Sequence, residues 1–391
     1  MKILSWLSLL GLSWALVGCE TTRYNPGKPL TGDPIVDGQN AITYGTPKDK
    51  VLWQYRTALA ALRRGQFAEA RQFLDDALNR IENAMGTDKN ARKARGYFSA
   101  EAKKTFLGEP YERVMAYYYR GILYWMDGEP DNARACFRRA QLQDSDVVDK
   151  TYAADYVLLD YLDGFASVKL GGDGSDALKR AQTVSKISAP PDYDPKANLL
   201  FFVEFGQGPT KYAVGEYAEQ LMFRGGVSPV RSAILTVNGK TFQLRPYDDL
   251  YFQATTRGGR VMDHILANKA GFKKTADTVG DAALVSGLVL ANRRETQGAA
   301  LGVAAFGLLS KLTAASTTPE ADIRSWDNLP LYLSFAALSL PPGQHAATVE
   351  FLDGANRIIS NLTKTITLNV PSDAKDKVVY VSDKSSSPLN L

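Results

Sequence analysis

Residues 117–141, YYYRGILYWMDGEPDNARACFRRAQ, decide the fold of the first half of the chain. Apolar and small residues recur every three to four positions on both sides of Gly128, which is the period of an amphipathic helix. Gly128 interrupts this pattern, because glycine permits a tight turn. The stretch therefore predicts two helices joined by a short turn.

The spacing of small and large residues in this pair resembles a tetratricopeptide unit, a helix–turn–helix of 34 residues. Gly121 is the small residue where two helix backbones approach, and Phe137 is a packing residue of the second helix. A third and less regular copy spans residues 152–186. The corresponding positions of another copy, in residues 51–81, are held by Ala58, Gly65, Phe67, Ala70, Leu74 and Ala77.

The resemblance implies a concave groove, because the first helices of tetratricopeptide repeats line a surface that holds a peptide or a partner helix. Aromatic and arginine side chains are frequent hot spots in protein interfaces. The alternative is that several of these aromatic residues form core, since residues 115–125 are apolar on nearly all sides. By position, the partner-binding residues in such a groove are Tyr55, Arg56, Arg63, Tyr118, Tyr119 and Trp125.

After residues 188–195, SAPPDYDP, the pattern changes from helical to strand-like. Residues 198–205, NLLFFVEF, form a short apolar run, and Asn238-Gly239 between alternating segments predicts a hairpin. Further strand candidates occupy 329–340, 344–353, 357–370 and 377–383, and residues 338–368 resemble small periplasmic β-sandwich modules. We therefore expect an α+β fold, in which helical hairpins precede a β-sandwich-like domain.

A helical segment, residues 260–315, interrupts the strands with two apolar pieces rich in glycine and alanine. Gly298 and Gly302 form a G-x-x-x-G pair, a spacing that allows close helix packing in membranes. Each piece is shorter than the ~20 residues that a membrane-spanning helix needs. Two interpretations stay open: a buried helical hairpin, or a surface that contacts membrane or self-associates through Gly298 and Gly302.

The N-terminus predicts export and lipidation. An apolar run follows Lys2 and ends in LVGC, residues 16–19, which resembles the lipobox of bacterial lipoproteins. That resemblance implies removal of residues 1–18 and acylation of Cys19. Several acyl chains anchor a protein firmly, whereas one holds it only marginally. Because Glu20 replaces the aspartate of the inner-membrane retention signal, we expect an outer-membrane protein that faces the periplasm.

The whole architecture resembles a family of bacterial lipoproteins with tetratricopeptide-like N-terminal halves and uncharacterised C-terminal halves. Besides the repeats and the lipobox, residues 108–113, GEPYER, and 321–330, ADIRSWDNLP, carry this resemblance. The resemblance implies no reaction. The expected organisation is a signal peptide (1–18), a linker (19–48), a tetratricopeptide-like domain (49–188), a β-rich domain (189–383) and a flexible tail (384–391).

Composition and motifs give no support to catalysis. The chain of 391 residues has two histidines, two cysteines and a net charge of +4, which is too small to argue for nucleic acid. It carries none of the common metalloprotease, serine-hydrolase or C-x-x-C motifs. We therefore expect no enzyme, no metal and no cofactor. The favoured hypothesis is a scaffold for a periplasmic protein. The alternatives are a self-assembling structural component and, with least support, a cell-wall hydrolase.

Overall fold

A computed structural model describes residues 28–86, 105–145, 153–216, 218–255, 321–373 and 375–390. Cys19, Gly298, Gly302 and the whole of the predicted insert (260–315) lie outside these residues. The described chain is helical in its N-terminal half and contains sheets in its C-terminal half, which confirms the mixed α and β class. None of the helices in these ranges is both long and apolar enough to cross a membrane.

The helices pack as consecutive antiparallel hairpins: Lys50–Arg63 with Phe67–Gly86, Pro110–Met126 with Pro130–Asp144, and Val157–Lys169 with Ser175–Val184. The turns of the first two hairpins contain Gly65 and Gly128, with φ of 75° and 80°, a region that L side chains rarely adopt. These hairpins are therefore confirmed where the sequence predicted them. The helices are α1 (Pro34–Tyr44), α2 (Lys50–Arg63), α3 (Phe67–Gly86), α4 (Pro110–Met126), α5 (Pro130–Asp144), α6 (Val157–Lys169) and α7 (Ser175–Val184).

Small residues lie where the helices of one hairpin meet. A Cβ atom on Gly121 of α4 would lie 2.5 Å from a ring carbon of Phe137 on α5. A Cβ atom on Gly164 of α6 would lie 2.8 Å from the Cβ of Ala177 on α7. Both glycines therefore permit close helix contacts that any larger residue would obstruct.

The strands form a four-stranded sheet in the order β10-β1-β7-β6, a five-stranded sheet in the order β11-β9-β8-β4-β5, and a ribbon of β2 and β3. Asn238 and Gly239 both have positive φ, 50° and 78°, as a tight hairpin turn requires, so the predicted β4–β5 hairpin is confirmed. The strands are β1 (Leu199–Phe205), β2 (Thr210–Val214), β3 (Gln220–Arg224), β4 (Ser232–Val237), β5 (Lys240–Leu244), β6 (Asp248–Asp249), β7 (Tyr332–Leu338), β8 (Gly343–Leu352), β9 (Lys364–Val370), β10 (Lys377–Ser382) and β11 (Leu389–Asn390); a short helix, α8 (Leu250–Thr255), follows β6.

Strand β1 is buried on both faces and joins three layers. Leu200 and Phe202 belong to a core shared with the helices, while Phe201 and Val203 belong to a core between the two larger sheets. The four-stranded sheet is therefore the middle layer. The helical and strand halves share one core across residue 188, where the sequence suggested a domain boundary.

Three features differ from the sequence-based organisation. Helix α1 lies within the stretch predicted as a linker, and Asp33 caps it by accepting hydrogen bonds from the amides of Ile35 and Val36. The β2–β3 ribbon was not predicted. The stretch predicted as a flexible tail provides β11, where Leu389 pairs with Ile366 of β9. Helix α1 and strand β11 lie in segments whose composition, rich in proline, glycine, serine, threonine or asparagine, is typical of loops, and tertiary packing orders them.

A candidate site where the helices hold residues 324–328

The candidate site is a contact between the helices and an irregular segment that precedes β7. We call residues 324–328 the docked segment. The inner face is the set of helical side chains around it: Tyr55, Arg56 and Arg63 of α2 with Glu112 and Tyr119 of α4. Residues 324–328 carry no regular secondary structure apart from a turn. Their polar backbone groups therefore need partners outside any sheet or helix ladder.

Trp326 is the centre of the contact. Its indole is fully buried and stacks on Tyr55, with ring centroids 4.3 Å apart and planes at 18°. On another side the indole packs against the ring of Tyr119, with ring centroids 5.9 Å apart. Its backbone N–H donates a hydrogen bond to Glu112 Oε1 at 2.7 Å. The aromatic ring and the main chain at this position are thus both fixed by helical side chains.

Two arginines of α2 bind the backbone carbonyls of the docked segment. Arg56 Nη2 donates to Ser325 O and to Asp327 Oδ2, both at 2.8 Å. Arg63 Nη1 donates to Asn328 O at 2.8 Å. Asn328 returns a hydrogen bond, since its Nδ2 donates to Arg56 O at 3.0 Å. The segment is therefore held largely through its main chain.

Glu112 and Lys211 form a buried ion pair beneath the docked segment. Lys211 Nζ on β2 lies 2.5 Å from Glu112 Oε2, and the two side chains are at most 1 % exposed. Lys211 Nζ also donates to Arg324 O at 2.8 Å, and Glu112 Oε2 accepts from the amide of Glu109 at 2.7 Å. Such a pair is tolerated in a core only when further hydrogen bonds satisfy both charges, as they do here.

A second buried pair ties α2 and α4 to the middle sheet. Arg63 Nε and Nη2 donate to Glu204 Oε1 of β1 at 2.9 and 2.6 Å. Tyr119 Oη donates to Glu204 Oε2 at 2.5 Å. Burial by itself lowers the pKa of Arg63, but the electrostatic influence of Glu204, Tyr380 and Tyr119 and the hydrogen bond to Glu204 together outweigh burial, so the pKa is raised overall. Burial raises the pKa of the Tyr119 hydroxyl well above its usual value, so this hydroxyl keeps its proton and stays a hydrogen-bond donor.

A third ionic contact holds the start of the docked segment. Arg324 Nη1 lies 2.6 Å from Asp49, which immediately precedes α2, and Nη2 lies 2.6 Å from Asp322. Residues 108–113 and 321–330, two stretches that the sequence analysis singled out separately, therefore meet in space. Their contact was not predicted, because 214 positions separate Glu112 from Trp326.

The structure does not place the sequence-predicted partner-binding residues on an open groove: Tyr55, Arg56, Arg63 and Tyr119 lie in this internal contact, whereas Tyr118 and Trp125 lie in the core against Phe137 and Phe202, away from the docked segment. Tyr55, Tyr118, Tyr119, Trp125 and Arg63 are buried. The side chain of Arg56 is 11 % exposed and is thus nearly covered as well. The physical reason is that the middle sheet and the docked segment cover the aromatic face, which would otherwise expose a large apolar area. The core interpretation of Tyr118, Tyr119 and Trp125 agrees with this geometry.

Glu112, Lys211 and Glu204 belong to the contact but were not predicted as functional residues from the sequence. One signal was present for Glu204, which is the single charged residue in the apolar run 198–205. A charge inside a strand buried on both faces needs a partner, and that need could have been inferred. The partner is Arg63, which lies 141 positions away in the chain. Nothing in the sequence near Glu204 identifies it.

A separate polar cluster surrounds Asp248 of β6, which caps the start of α6. Its two carboxylate oxygens accept hydrogen bonds from the amides of Val157 and Leu158, both at 2.9 Å. Burial, together with the charges of Asp155 and Asp144, raises the pKa of Asp248 to about 7. A pocket of about 140 Å³ lies beside it, lined by Asp155, Val157, Val184, Lys186, Ile187, Tyr247, Asp248, Asp249, Phe252 and Gln253.

Chemically, the charged groups of the inner face are engaged with the docked segment and with each other. Across the ranges that the structure describes, no three side chains of histidine, cysteine, aspartate or glutamate are placed to share a metal ion. The arrangement at the inner face binds a polypeptide segment. Comparison of the chain with protein-family models, with curated proteins and with solved structures gave no match.

Proposed function

We propose that the protein is a lipid-anchored scaffold of the bacterial cell envelope, which binds another protein through the inner face of its helices. The observation that carries the proposal is the docked segment itself. Tyr55, Arg56, Arg63 and Glu112 hold a stretch of irregular polypeptide by ring stacking and by hydrogen bonds to its main chain. A surface that performs this recognition within one chain has the chemistry to perform it between two.

The types of contact are those that dominate protein interfaces. A buried tryptophan against a tyrosine supplies apolar area, and arginines supply charged donors to carbonyl oxygens. Hydrogen bonds to the main chain do not depend on the partner's side chains, so several partner sequences fit the same donors. The tetratricopeptide-like spacing and the lipobox at Cys19 support a binding protein held at the outer membrane and facing the periplasm.

The second hypothesis, self-assembly through Gly298 and Gly302, gains no support from the geometry, because both residues lie outside the described part of the chain. The scaffold proposal is tested with the full, lipidated protein purified in mild detergent. The protein is immobilised and exposed to a detergent extract of the envelope of its own bacterium. Retained proteins are quantified by mass spectrometry for the wild type, for Arg56→Glu and for Arg80→Glu.

Arg56→Glu reverses the charge at the edge of the inner face, whereas Arg80 lies on α3, is 45 % exposed and pairs with Asp76 one turn away. We expect the same specific proteins on the wild type and on Arg80→Glu, and at least a tenfold loss on Arg56→Glu. Thermal melts establish that both variants fold. Equal retention by folded Arg56→Glu would show that partners do not use the inner face, and would overturn the proposal.

A further inference from the structure

We infer that the docked segment is a built-in ligand of the inner face and closes this face to other proteins until the segment leaves. The inference rests on the proposed function, because it assumes that the inner face binds partners. The contacts of residues 324–328 with α2 and α4 indicate both a regulatory role for this segment and the chemistry of the partner that would replace it.

The docked segment is bound as a ligand would be. Three of its main-chain groups, the Trp326 amide and the Ser325 and Asn328 carbonyls, each bond to a side chain of α2 or α4. Buried main-chain groups outside helices and sheets are satisfied by water, by other backbone groups or by side chains. Here the helices supply them from residues more than 200 positions away.

The contact has a buried centre and an accessible edge. Trp326 is fully buried, whereas the Asp327 side chain is 50 % exposed where it pairs with Arg56. Exposed ion pairs contribute little to stability. The edge at Asp327 is thus the part of the segment that separates most easily from the inner face, and the indole is the part that resists release.

The contacts define the partner that would replace the docked segment. It is an irregular protein segment that carries a tryptophan followed by an acidic residue. The tryptophan would stack on Tyr55, the carboxylate would pair with Arg56, and a free backbone amide would reach Glu112. This order of groups repeats that of Trp326 and Asp327.

Closure by the docked segment lowers the apparent affinity for such a partner. When the binding-competent state is only a fraction of the population, the apparent dissociation constant rises by the inverse of that fraction. Weakening the segment must therefore strengthen binding in trans. Weakening the inner face must abolish binding in trans. If residues 324–328 were only a structural loop, changes in the segment and in the inner face would not have these opposite effects on binding.

The test uses the full chain and a fluorescent synthetic peptide of residues 321–331, ADIRSWDNLPL, with binding measured by anisotropy. We expect weak or undetectable binding to the wild type. Trp326→Ala removes the buried anchor of the docked segment, and we expect it to bind the peptide at least about 100-fold more tightly. The same peptide with alanine in place of tryptophan serves as the ligand control and is expected not to bind.

Trp125→Ala is the matched protein control. It also removes a buried tryptophan, but one that contacts Phe137, Phe165 and Phe202, away from the docked segment, so peptide binding is expected to stay at the wild-type level. If Trp326→Ala does not fold, Asp327→Lys replaces it. This variant repels Arg56 at the exposed edge and is expected to raise the affinity about tenfold.

The outcomes separate this inference from the proposed function. A folded segment variant that binds the peptide no better than the wild type overturns closure. Equal and tight binding to the wild type overturns it as well. If envelope proteins bind the wild type and are lost with Arg56→Glu while the peptide never binds, the scaffold proposal stands and the inference fails.

Discussion

The two faces of β1 enter two cores of different composition. On the side of the helices, Leu200, Phe202 and Glu204 meet a core rich in tyrosine and tryptophan, which contains buried ion pairs. On the opposite side, Phe201 and Val203 meet a core whose buried members are leucine, valine, isoleucine, alanine and phenylalanine. Strand β1 therefore contributes one face to a core of mainly aliphatic side chains and the other face to a core that is aromatic and contains buried charges.

This difference indicates different tasks for the two contacts. Aliphatic side chains gain stability by burial in many similar arrangements, so such a core tolerates repacking when its volume is kept. A buried ion pair requires one arrangement, because a displaced charge loses its partner in a low-dielectric interior. We infer that the sheet–sheet core supplies apolar burial, whereas the helix–sheet core fixes how the two halves fit together.

The largest expected effect is on the helix side. Glu112→Ala leaves the Lys211 ammonium buried without its carboxylate and leaves the amide of Trp326 without its acceptor. Breaking one partner of a buried pair costs about 3–5 kcal/mol in the free energy of unfolding. Urea denaturation of the full chain, followed by circular dichroism, measures this loss.

The double variant Glu112→Ala/Lys211→Met serves as the control for this loss. It removes both charges, and replacing a buried pair by apolar groups is often close to neutral. We expect it to be more stable than Glu112→Ala alone, although the Trp326 amide still lacks its acceptor. A double variant that is less stable than the single one would contradict the view that the stranded charge causes the loss.

On the aliphatic side, Leu235→Ala in β4 is expected to cost about 2–5 kcal/mol, since the residue is fully buried and a cavity remains. Leu235→Met keeps the volume and is expected to cost less than about 1.5 kcal/mol. Denaturation curves of both variants distinguish loss of volume from loss of shape. Equal costs for the two variants would show that this core also demands a unique arrangement, and the comparison would fail.

The sequence predicted those parts of the fold that have local signals. The hairpins α2–α3 and α4–α5 were predicted from apolar spacing and from the glycines at their turns, and β4–β5 from Asn238-Gly239. In each case the residues that form the element also carry the pattern. The same spacing also predicted an exposed, tetratricopeptide-like groove. Whether such a face is exposed depends on the segments that pack on it, here the middle sheet and the docked segment, and helical spacing carries no information about those segments.

The rest of the site could not be predicted because its contacts join distant residues. The apolar surroundings of Glu204 indicate that it needs a partner, but nothing in its stretch or in that of Arg63 shows that the two meet when the helices pack on the middle sheet. The docked segment has no periodicity, so nothing local distinguishes it from a surface loop. Trp326 was visible as a large apolar residue among polar ones, yet its partner Tyr55 lies at the other end of the chain.

A smaller effect is expected at the hydroxyl that completes the Glu204 cluster. Tyr119→Phe keeps the ring but removes the donor to Glu204 Oε2, and an unsatisfied buried acceptor costs about 1–3 kcal/mol. Tyr124→Phe, on the same helix, is the control, because its ring contact with Arg120 is retained at the half-buried surface. We expect a change below about 0.5 kcal/mol for that variant. A similar loss from both would mean that the cluster around Glu204 has no special role.

A further effect, which varies with pH, is expected at Asp248 of β6, whose carboxylate accepts hydrogen bonds from α6 amides. Because its pKa is about 7 in the folded protein and 3.8 in a model compound, the folded state retains a proton that the unfolded state has lost between these values. The stability that this group contributes is therefore present at low pH and is lost as the pH rises through about 7. The slope for one proton is at most about 1.4 kcal/mol per pH unit.

Asp248→Asn removes this titration while retaining an oxygen that accepts from an α6 amide. Relative to the variant, the wild type is expected to lose stability steadily from pH 5 to pH 7, as measured by urea denaturation at each pH. Asp194→Asn is the control: a hydrogen bond from Ser339 lowers the pKa of Asp194, so its titration lies below this range. A wild-type curve parallel to that of Asp248→Asn would show that the carboxyl stays ionised while it caps α6. The buried carboxylates on the helix side would then be stabilised in two different ways. The two α6 amides alone would stabilise the charge of Asp248, whereas Glu112 and Glu204 are paired with Lys211 and Arg63.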